Sequence, residues 1–365
     1  MRALRLYAGP SALDHLSERG LRPSDVGVVP AAAGGPKGLI LGPIDRLLFG
    51  HWLADAPQPI HLVGASIGAW RMATACLPDA LGSFERLEHD YIHQHYELPP
   101  GQRRPTAQQV SEQFSLNLQS FYGGRVEPVL QHPRWRLHIV TSRGRRLLAH
   151  DGRWRTPLGY LSAYAANAVR RPALGQWLER VVFSGPDAAV GTTSALPFAT
   201  HDLRTRQIPM GPHNFMQALQ ASCSIPFVLR PVVDIPGAPH GPYWDGGITD
   251  YHLHLHYRHD AAAPIVLYPH FQRAVVPGWL DKAWKRRHRS SAALDHMLVL
   301  APDPDWVKQA LPGGKLPDRS DFARYGQDLT ARVKAWGAAV KAARQLAEEL
   351  GEWLARPDVR RVEPL

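Results

Sequence analysis

The sequence predicts an α/β protein in which helices flank a mostly parallel sheet. Two apolar runs, at 26–30 and 60–64, each lead into a glycine-containing turn and then a helix-compatible segment, which is the order of a β-α-β unit. Further apolar runs alternate with helical patterns, at 136–141, 180–185 and 296–301. From Ser320 to Pro357, apolar residues recur at steps of three and four, which predicts a long amphipathic C-terminal helix.

Length and composition indicate a globular protein with a sizeable core. The chain has 365 residues, of which 44% are hydrophobic and 20% charged. We expect one main domain over residues 1–315 and a helical extension over residues 316–365 that packs on it. Alternatively, the apolar stripe of that extension forms a dimer interface or a surface that faces a membrane.

Charge and cysteine content restrict the partners and the compartment. A formal net charge of +10 predicts anionic partners such as lipid headgroups, nucleic acid or acidic substrates. The only cysteines, Cys76 and Cys223, give no disulfide framework and suit a reducing compartment. The sequence contains neither a signal-peptide pattern nor an apolar run of about 18 residues. We therefore expect a cytoplasmic protein, with membrane contact limited to peripheral binding.

Further helices are predicted from Ser11 onward and over residues 71–77, 84–95, 107–121, 160–170 and 215–222.

The segment 251–259 alternates in polarity and predicts a strand with His252, His254 and His256 on one face. Histidines two residues apart can chelate a metal, but no carboxylate or thiol accompanies them at ligand spacing. We expect a strand face there and no metal site.

The stretch Gly64-Ala-Ser66-Ile67-Gly68 connects a predicted strand to a predicted helix. It fits the G-x-S-x-G nucleophile elbow, a sharp turn that exposes a serine hydroxyl. The glycines suit a turn in which a side chain would collide with its neighbours. An ordinary βα turn with a capping serine is the alternative.

A glycine-rich loop, Ala33-Gly34-Gly35-Pro36-Lys37-Gly38, follows the first strand of the same unit. Ala33 breaks the dinucleotide-binding pattern, and the G-K-[ST] of a phosphate-binding loop is absent. Two interpretations of the loop remain. One is an oxyanion hole, in which amide groups stabilise a charged oxygen, and the other is a plain loop at the start of a helix. Both loops are expected at the carboxyl edge of the sheet, where α/β proteins bind ligands.

A third motif, Asp245-Gly246-Gly247, comes directly after Tyr243 and Trp244. The aromatic residues imply partial burial, and a carboxylate held there could accept a hydroxyl proton. A surface turn is the alternative reading of this segment.

These motifs occur in an order that resembles the patatin-like phospholipase family. The segment Ala221-Ser-Cys-Ser-Ile-Pro226, ahead of Asp245, also resembles that family. The resemblance covers about residues 26–250 and implies a three-layer α/β/α fold. It also implies a Ser66–Asp245 dyad without histidine. The site residues that it implies besides the dyad are the oxyanion-hole or substrate-binding Gly34, Gly35, Lys37, Gly38 and Ile67, and the motif glycines Gly64, Gly68, Gly246 and Gly247.

The resemblance implies a phospholipase A or esterase that cleaves lipid acyl esters through an acyl-serine intermediate and needs no cofactor. Acyl transfer and non-catalytic lipid binding are the alternatives. The loop departs from the family pattern at Ala33, and Pro36 has no amide to donate. Lys37 fits either an anion-attracting side chain at the site or a solvated residue on the outer face of a helix.

A basic and aromatic cluster lies beyond the resemblance. Besides Lys282, its members are Trp279, Trp284, Lys285, Arg286, Arg287, His288 and Arg289. Tryptophan and basic side chains together are typical of peripheral membrane contact. A solvated surface or a nucleic-acid contact are the alternatives, and no nucleic-acid motif accompanies the cluster, so we expect no nucleic-acid partner.

Overall fold

The structure is a computed structural model that describes residues 1–102, 104–258 and 260–365. Its strands are β1 (Leu4–Ala8), β2 (Val26–Ala31), β3 (Ile60–Ala65), β4 (Trp135–Gly144), β5 (Leu178–Ser184), β6 (Pro186–Asp187), β7 (Thr192–Thr193), β8 (Thr205–Pro209), β9 (Val232–Val233), β10 (Pro242–Asp245), β11 (Ile265–Pro269), β12 (Met297–Pro302) and β13 (Val362–Pro364). Its α-helices are α1 (Pro10–Arg19), α2 (Gly42–Leu47), α3 (Ile67–Ala75), α4 (Ala80–His93), α5 (Ala107–Tyr122), α6 (Val126–Leu130), α7 (Arg155–Val169), α8 (Phe215–Ser222), α9 (Pro304–Ala310), α10 (Ser320–Tyr325) and α11 (Leu329–Ala355).

The main sheet has the strand order β13-β1-β12-β11-β2-β3-β4-β10-β9, with β5 and then β8 branching from β4. From β12 to β4 every neighbouring pair is parallel, and β1, β5 and β10 each join antiparallel to their neighbour in that group. The predicted α/β class with a mostly parallel central sheet is confirmed. Strands β2 and β3 are almost entirely buried, as expected of parallel strands that helices flank.

The predicted C-terminal helix is present, but it begins later than the periodicity suggested. A left-handed turn at Gly326, with φ of 56°, separates α10 from α11. Asp328 then caps α11 by accepting the N–H of Ala331 at 2.9 Å. The apolar stripe of α11 is buried against α2, α4 and β1, with Leu346 and Leu350 fully buried. The division at residue 315 stays a prediction.

The helix predicted after the glycine loop is irregular. A 3₁₀ turn over Gly35–Leu41 precedes α2, and a π-helical turn over Leu48–Trp52 follows it. Gly42 and Pro43 open α2, and proline is suited to the first turn of a helix because its missing N–H has no partner there.

The histidine-rich segment is not a strand, so that prediction is wrong. His252 is fully buried, His254 is half-buried and His256 is exposed. Hydrogen bonds to other loops replace strand pairing: the Nδ1 of His252 accepts the N–H of Val276 at 3.0 Å. His259 lies outside the described residues. Within the described ranges, no group of three or more His, Cys, Asp or Glu side chains is placed to hold a metal ion.

No helix in the described part of the chain combines the length and the apolar character needed to cross a bilayer.

Candidate active site

Ser66 lies in the tight turn between β3 and α3. Its backbone has φ of 57° and ψ of −129°, a conformation that non-glycine residues adopt only when the surroundings impose it. A Cβ on Gly64 would lie 2.4 Å from the Cα of Ala69, and one on Gly68 would lie 1.9 Å from the carbonyl oxygen of Ala31. Both glycines are therefore required for this turn, which is the strained elbow that the motif predicts.

The register of the sheet brings Asp245 next to Ser66. β3 ends at Ala65, which pairs with Val140 of β4, while β10 ends at Asp245, which pairs with Thr141. Since β5 occupies the other edge of β4, β3 and β10 share one edge and meet end to end. The Oγ of Ser66 donates a hydrogen bond to the Oδ2 of Asp245 at 2.6 Å.

Hydrogen bonds from α8 and the loop after it hold both residues in place. The Oγ of Ser222 accepts the N–H of Ser66 at 2.9 Å and donates to the carbonyl oxygen of Val140 at 2.7 Å. The carbonyl oxygen of Ser224 accepts the N–H of Asp245 at 2.9 Å. The segment Ala221–Pro226 therefore fixes the backbone of both members of the pair.

The carboxylate of Asp245 is also fixed by its own turn. The N–H of Gly247 donates to its Oδ1 at 2.7 Å, and a Cβ on Gly246 would meet the carbonyl oxygen of Val140 at 2.1 Å. Ser66 and Asp245 are only 6% and 5% exposed. This burial raises the pKa of Asp245, and the hydrogen bonds from Ser66 and Gly247 act in the opposite direction.

The glycine loop lies beside this pair, with Ala33 at 2.6 Å from a Cβ built on Gly247. The N–H of Ala33 donates to the carbonyl oxygen of Tyr251 at 3.0 Å, which ties the loop to the segment after the Asp245 turn. Within the described residues, the N–H groups of Gly34, Gly35 and Ile67 have no hydrogen-bond acceptor. Gly35 has φ of 57°, a left-handed conformation that favours glycine.

Gly38 and Pro36 have packing roles. A Cβ on Gly38 would lie 3.3 Å from Ile67, so the glycine lets the loop pack on the first turn of α3. Pro36 is buried and begins the 3₁₀ turn, where a missing N–H leaves no backbone bond unmade.

Three half-buried cations surround the loop and the Asp245 turn. Lys37 lies over the ring of Phe271 with its Nζ at 5.2 Å from the centroid, so it is not on an outer helix face. The Nζ of Lys282 lies 3.8 Å from the ring centroid of Tyr251, whose ring edge is 3.4 Å from a Cβ built on Gly247. The side chain of Arg319 lies 3.6 Å from a Cβ built on Gly35.

No carboxylate in the described part of the chain forms an ion pair with any of these three cations. Asp318, which lies near Lys37, is bound to Lys315 at 3.0 Å. Burial, with the like charges of Arg319 and Lys37, lowers the pKa of Lys282 to about 7. The cationic groups of Lys282 and Arg319 also both lie over the ring of Trp279.

Two further polar groups border the pair. The hydroxyl of Tyr160 and the indole N–H of Trp244 are buried without a hydrogen-bond partner in the described residues. Burial and the neighbouring Asp245 raise the pKa of Tyr160. Tyr160, Lys282 and Arg319 were not predicted as site residues, and no local motif marks them, because only the tertiary fold brings them to the dyad.

The predicted basic and aromatic cluster divides into two parts. Trp279 and Arg287 are half-buried, and Arg287 pairs with Asp281 at 2.7 Å and donates to the carbonyl oxygen of Asn167. Trp284 is half-buried and stacks on Tyr164 of α7. Lys285 and Arg286 are exposed. Membrane contact through this cluster stays a prediction. Arg287 is already bound to Asp281 and Asn167 within the fold.

A family model described as patatin-like phospholipase matches residues 34–252, more than half of the chain. The chain belongs to the patatin-like phospholipase family. The match includes the glycine loop from Gly34, the elbow and Asp245, and it supports a lipid acyl hydrolase. Lys282 and Arg319 lie outside the matched range.

Among solved structures, a human cytosolic phospholipase A2 of group IVD is similar to this chain at 14% identity and a TM-score of 0.32. The alignment covers 96% of this chain and 62% of the human protein, so the chain spans less than two thirds of the length of that relative. No curated protein sequence matches the chain.

Proposed function

We propose that the protein is a serine acyl hydrolase that cleaves acyl esters of lipids with a Ser66–Asp245 dyad. The observation that carries this proposal is the 2.6 Å hydrogen bond from the Oγ of Ser66 to a buried carboxylate, in a strained elbow. Family membership supports the lipid substrate class.

The dyad acts first as nucleophile and base. Asp245 accepts the proton as the Oγ of Ser66 attacks the ester carbonyl, and its raised pKa makes it a stronger base than an exposed aspartate. The unpaired N–H groups of Gly34, Gly35 and Ile67 are the donors proposed for the oxyanion. Protonated Asp245 then donates to the departing alcohol, and water, deprotonated by Asp245, releases the fatty acid from Ser66.

The cations beside the dyad favour an ester that carries negative charge. Lys37, Lys282 and Arg319 are half-buried and have no ion-paired carboxylate among the described residues. Burial and the charges of neighbouring cations lower the pKa of Lys37 and of Lys282, so an anionic headgroup would relieve an existing electrostatic cost at these two lysines. We expect Arg319→Gln to raise KM for an anionic acyl ester about 10-fold or more. KM for a neutral short acyl ester should stay unchanged, and an equal rise for both esters would contradict this preference.

The dyad is tested by hydrolysis of a short p-nitrophenyl ester and of phospholipid vesicles. Ser66→Ala and Asp245→Asn should each lower kcat about 10³-fold or more with the circular dichroism spectrum unchanged. Ser17→Ala, which alters an exposed serine of α1, is the matched control.

An alkyl fluorophosphonate probe gives an independent readout of the nucleophile. The probe should label wild type at Ser66 and should not label Ser66→Ala. A wild type that neither turns over these esters nor reacts with the probe would overturn the proposal and favour lipid binding without catalysis.

A further inference from the structure

We propose that the outward face of α7, together with the loop at Phe227, docks the protein onto an anionic lipid surface. The proposal rests on the proposed function only in the choice of a lipid partner. Its evidence is the apolar surface that α7 presents, the charge around that surface, and its connection to Asp245.

The apolar side chains of α7 point away from the protein. Trp154 at its N-cap, Leu158, Leu161 and Val169 are 72%, 53%, 65% and 82% exposed. Their spacing of four, three and eight residues places them in one stripe along the helix. The face that packs on the protein instead carries small or polar residues, which are Thr156, Gly159, Ala163 and Asn167. This is the reverse of an ordinary surface helix, whose apolar stripe faces the core.

A loop beside the helix extends this surface. Phe227 and Val228 are 66% and 43% exposed, and Phe227 holds a left-handed backbone with φ of 68°. The ring of Tyr160 in α7 packs edge-on against Phe227, with centroids 6.0 Å apart. An aromatic side chain held outward by a strained backbone is costly in water, and insertion into a lipid surface would offset that cost.

The charge around the stripe identifies the kind of lipid surface. Residues 145–171 contain six arginines and a single acidic residue, Asp151. Arg146, Arg153, Arg155 and Arg170 are exposed, and the guanidinium of Arg153 lies 5.6 Å from the ring centroid of Trp154 in the stripe. Basic residues beside an exposed apolar helix face fit anionic headgroups above an acyl layer, each contributing about 1 kcal/mol near the surface.

The surface is connected to the dyad through one aromatic side chain. Tyr160 also packs edge-on against Trp244, at 6.1 Å between centroids, and Trp244 directly precedes Asp245. A lipid layer on α7 would therefore lie next to the wall of the active site. Substrate could then reach Ser66 from the layer without passing through water.

The test is co-sedimentation with vesicles of phosphatidylcholine, with or without phosphatidylglycerol. All proteins carry Ser66→Ala, so the vesicles stay intact and binding is measured independently of catalysis. The Ser66→Ala protein should bind the anionic vesicles, and adding Leu158→Asp with Leu161→Asp should reduce the apparent affinity at least 10-fold. The matched control is Val190→Asp, which alters a 69% exposed side chain between β6 and β7. That hairpin joins the start of β4 through the Arg136–Asp187 ion pair, at the sheet edge opposite Ser66.

A second variant separates the charge from the apolar contact. Arg153→Gln with Arg155→Gln should lower affinity for the anionic vesicles about 30-fold and leave any binding to neutral vesicles unchanged. Unchanged binding by the double aspartate variant would overturn the proposal. The proposal would also be overturned if the Ser66→Ala parent failed to bind vesicles and formed a dimer in size-exclusion chromatography that the double aspartate variant abolished. The stripe would then contact a second copy of the chain. In an otherwise wild-type chain, the Asp substitutions should leave hydrolysis of a soluble short ester unchanged.

Discussion

Two groups of charged side chains in this molecule differ in how their charges are balanced. In the first, Arg180, Arg171 and Arg287 are matched by Asp202, Asp250 and Asp281. Arg180 and Asp250 are fully buried and lie 2.6 Å apart, and Arg171 and Arg287 both bind Asp281 within 2.8 Å. In the second, Lys37, Lys282 and Arg319 have no ion-paired carboxylate among the described residues.

The difference separates structural charges from charges available to a ligand. In the paired group, Arg180 of β5 binds Asp250 across 70 residues of sequence, and Arg171 binds Asp281 across 110. In the unpaired group each cation lies over an aromatic ring, which attracts the cation but does not neutralise its charge. Under the proposed function, this group would bind an anionic substrate.

The largest effect should come from breaking the paired group. Arg180→Met leaves two carboxylates, those of Asp250 and Asp202, without their main partner, and should lower the free energy of unfolding by about 3–5 kcal/mol. Urea denaturation followed by fluorescence measures the change. Arg204→Met, which removes a half-exposed partner of Glu179, is the control and should cost less than about 1 kcal/mol. Equal losses of unfolding free energy in the two variants would show that the buried ion pairs contribute no more to stability than the half-exposed one.

A smaller effect is expected in the pH dependence of hydrolysis. For a neutral short ester, kcat should rise with pH as Asp245 deprotonates and then stay level. For an anionic ester, kcat/KM should rise and then fall above about pH 7, because Lys282 loses its proton near that pH. The ratio of the two kcat/KM values should drop several-fold between pH 6 and pH 9. A constant ratio would mean that Lys282 does not contact the substrate.

The smallest effect should be a gain in stability from Lys282→Met, because Lys282 is only half-buried and solvent screens much of the cost of its charge. The pKa of Lys282 is about 7 in the folded chain and about 10.4 in an unfolded one, so wild type gains stability as pH rises between these values. The variant should therefore melt a few degrees above wild type at or below pH 7, and this gain should vanish near pH 10. Lys285→Met, at an exposed lysine, should show no such trend. A pH-independent difference for Lys282→Met would indicate packing rather than charge.

The sequence predicted the elements that depend on local patterns. The elbow at Ser66 and the turn at Asp245 were predictable because their glycines are fixed by contacts with the strands beside them. The spacing of three and four residues between the small and polar residues of α7 did not reveal which face is buried, since periodicity identifies a stripe and not the side it packs on.

Other features depend on contacts that no local pattern contains. In the sequence, Arg287 belongs to a run of basic residues typical of an exposed surface. In the structure, its side chain donates hydrogen bonds to Asp281 and to the carbonyl oxygen of Asn167. The histidines of 251–259 alternate like a strand, but a buried bond from Val276 to His252 fixes that segment as a loop. Lys282 and Arg319 influence Asp245 only through the tertiary fold, because both are distant from it in sequence.

The pairing of β10 with β4 also bears on how the chain folds. Ser66 and Asp245 are 179 residues apart, and their contact forms only when β10 aligns against the part of β4 that extends past β3. Contacts between residues so distant in sequence form late, because closing a long loop costs entropy before it is rewarded. During refolding, recovery of the proposed esterase activity should therefore lag behind recovery of helical signal, because the contact between Ser66 and Asp245 reports the final assembly step.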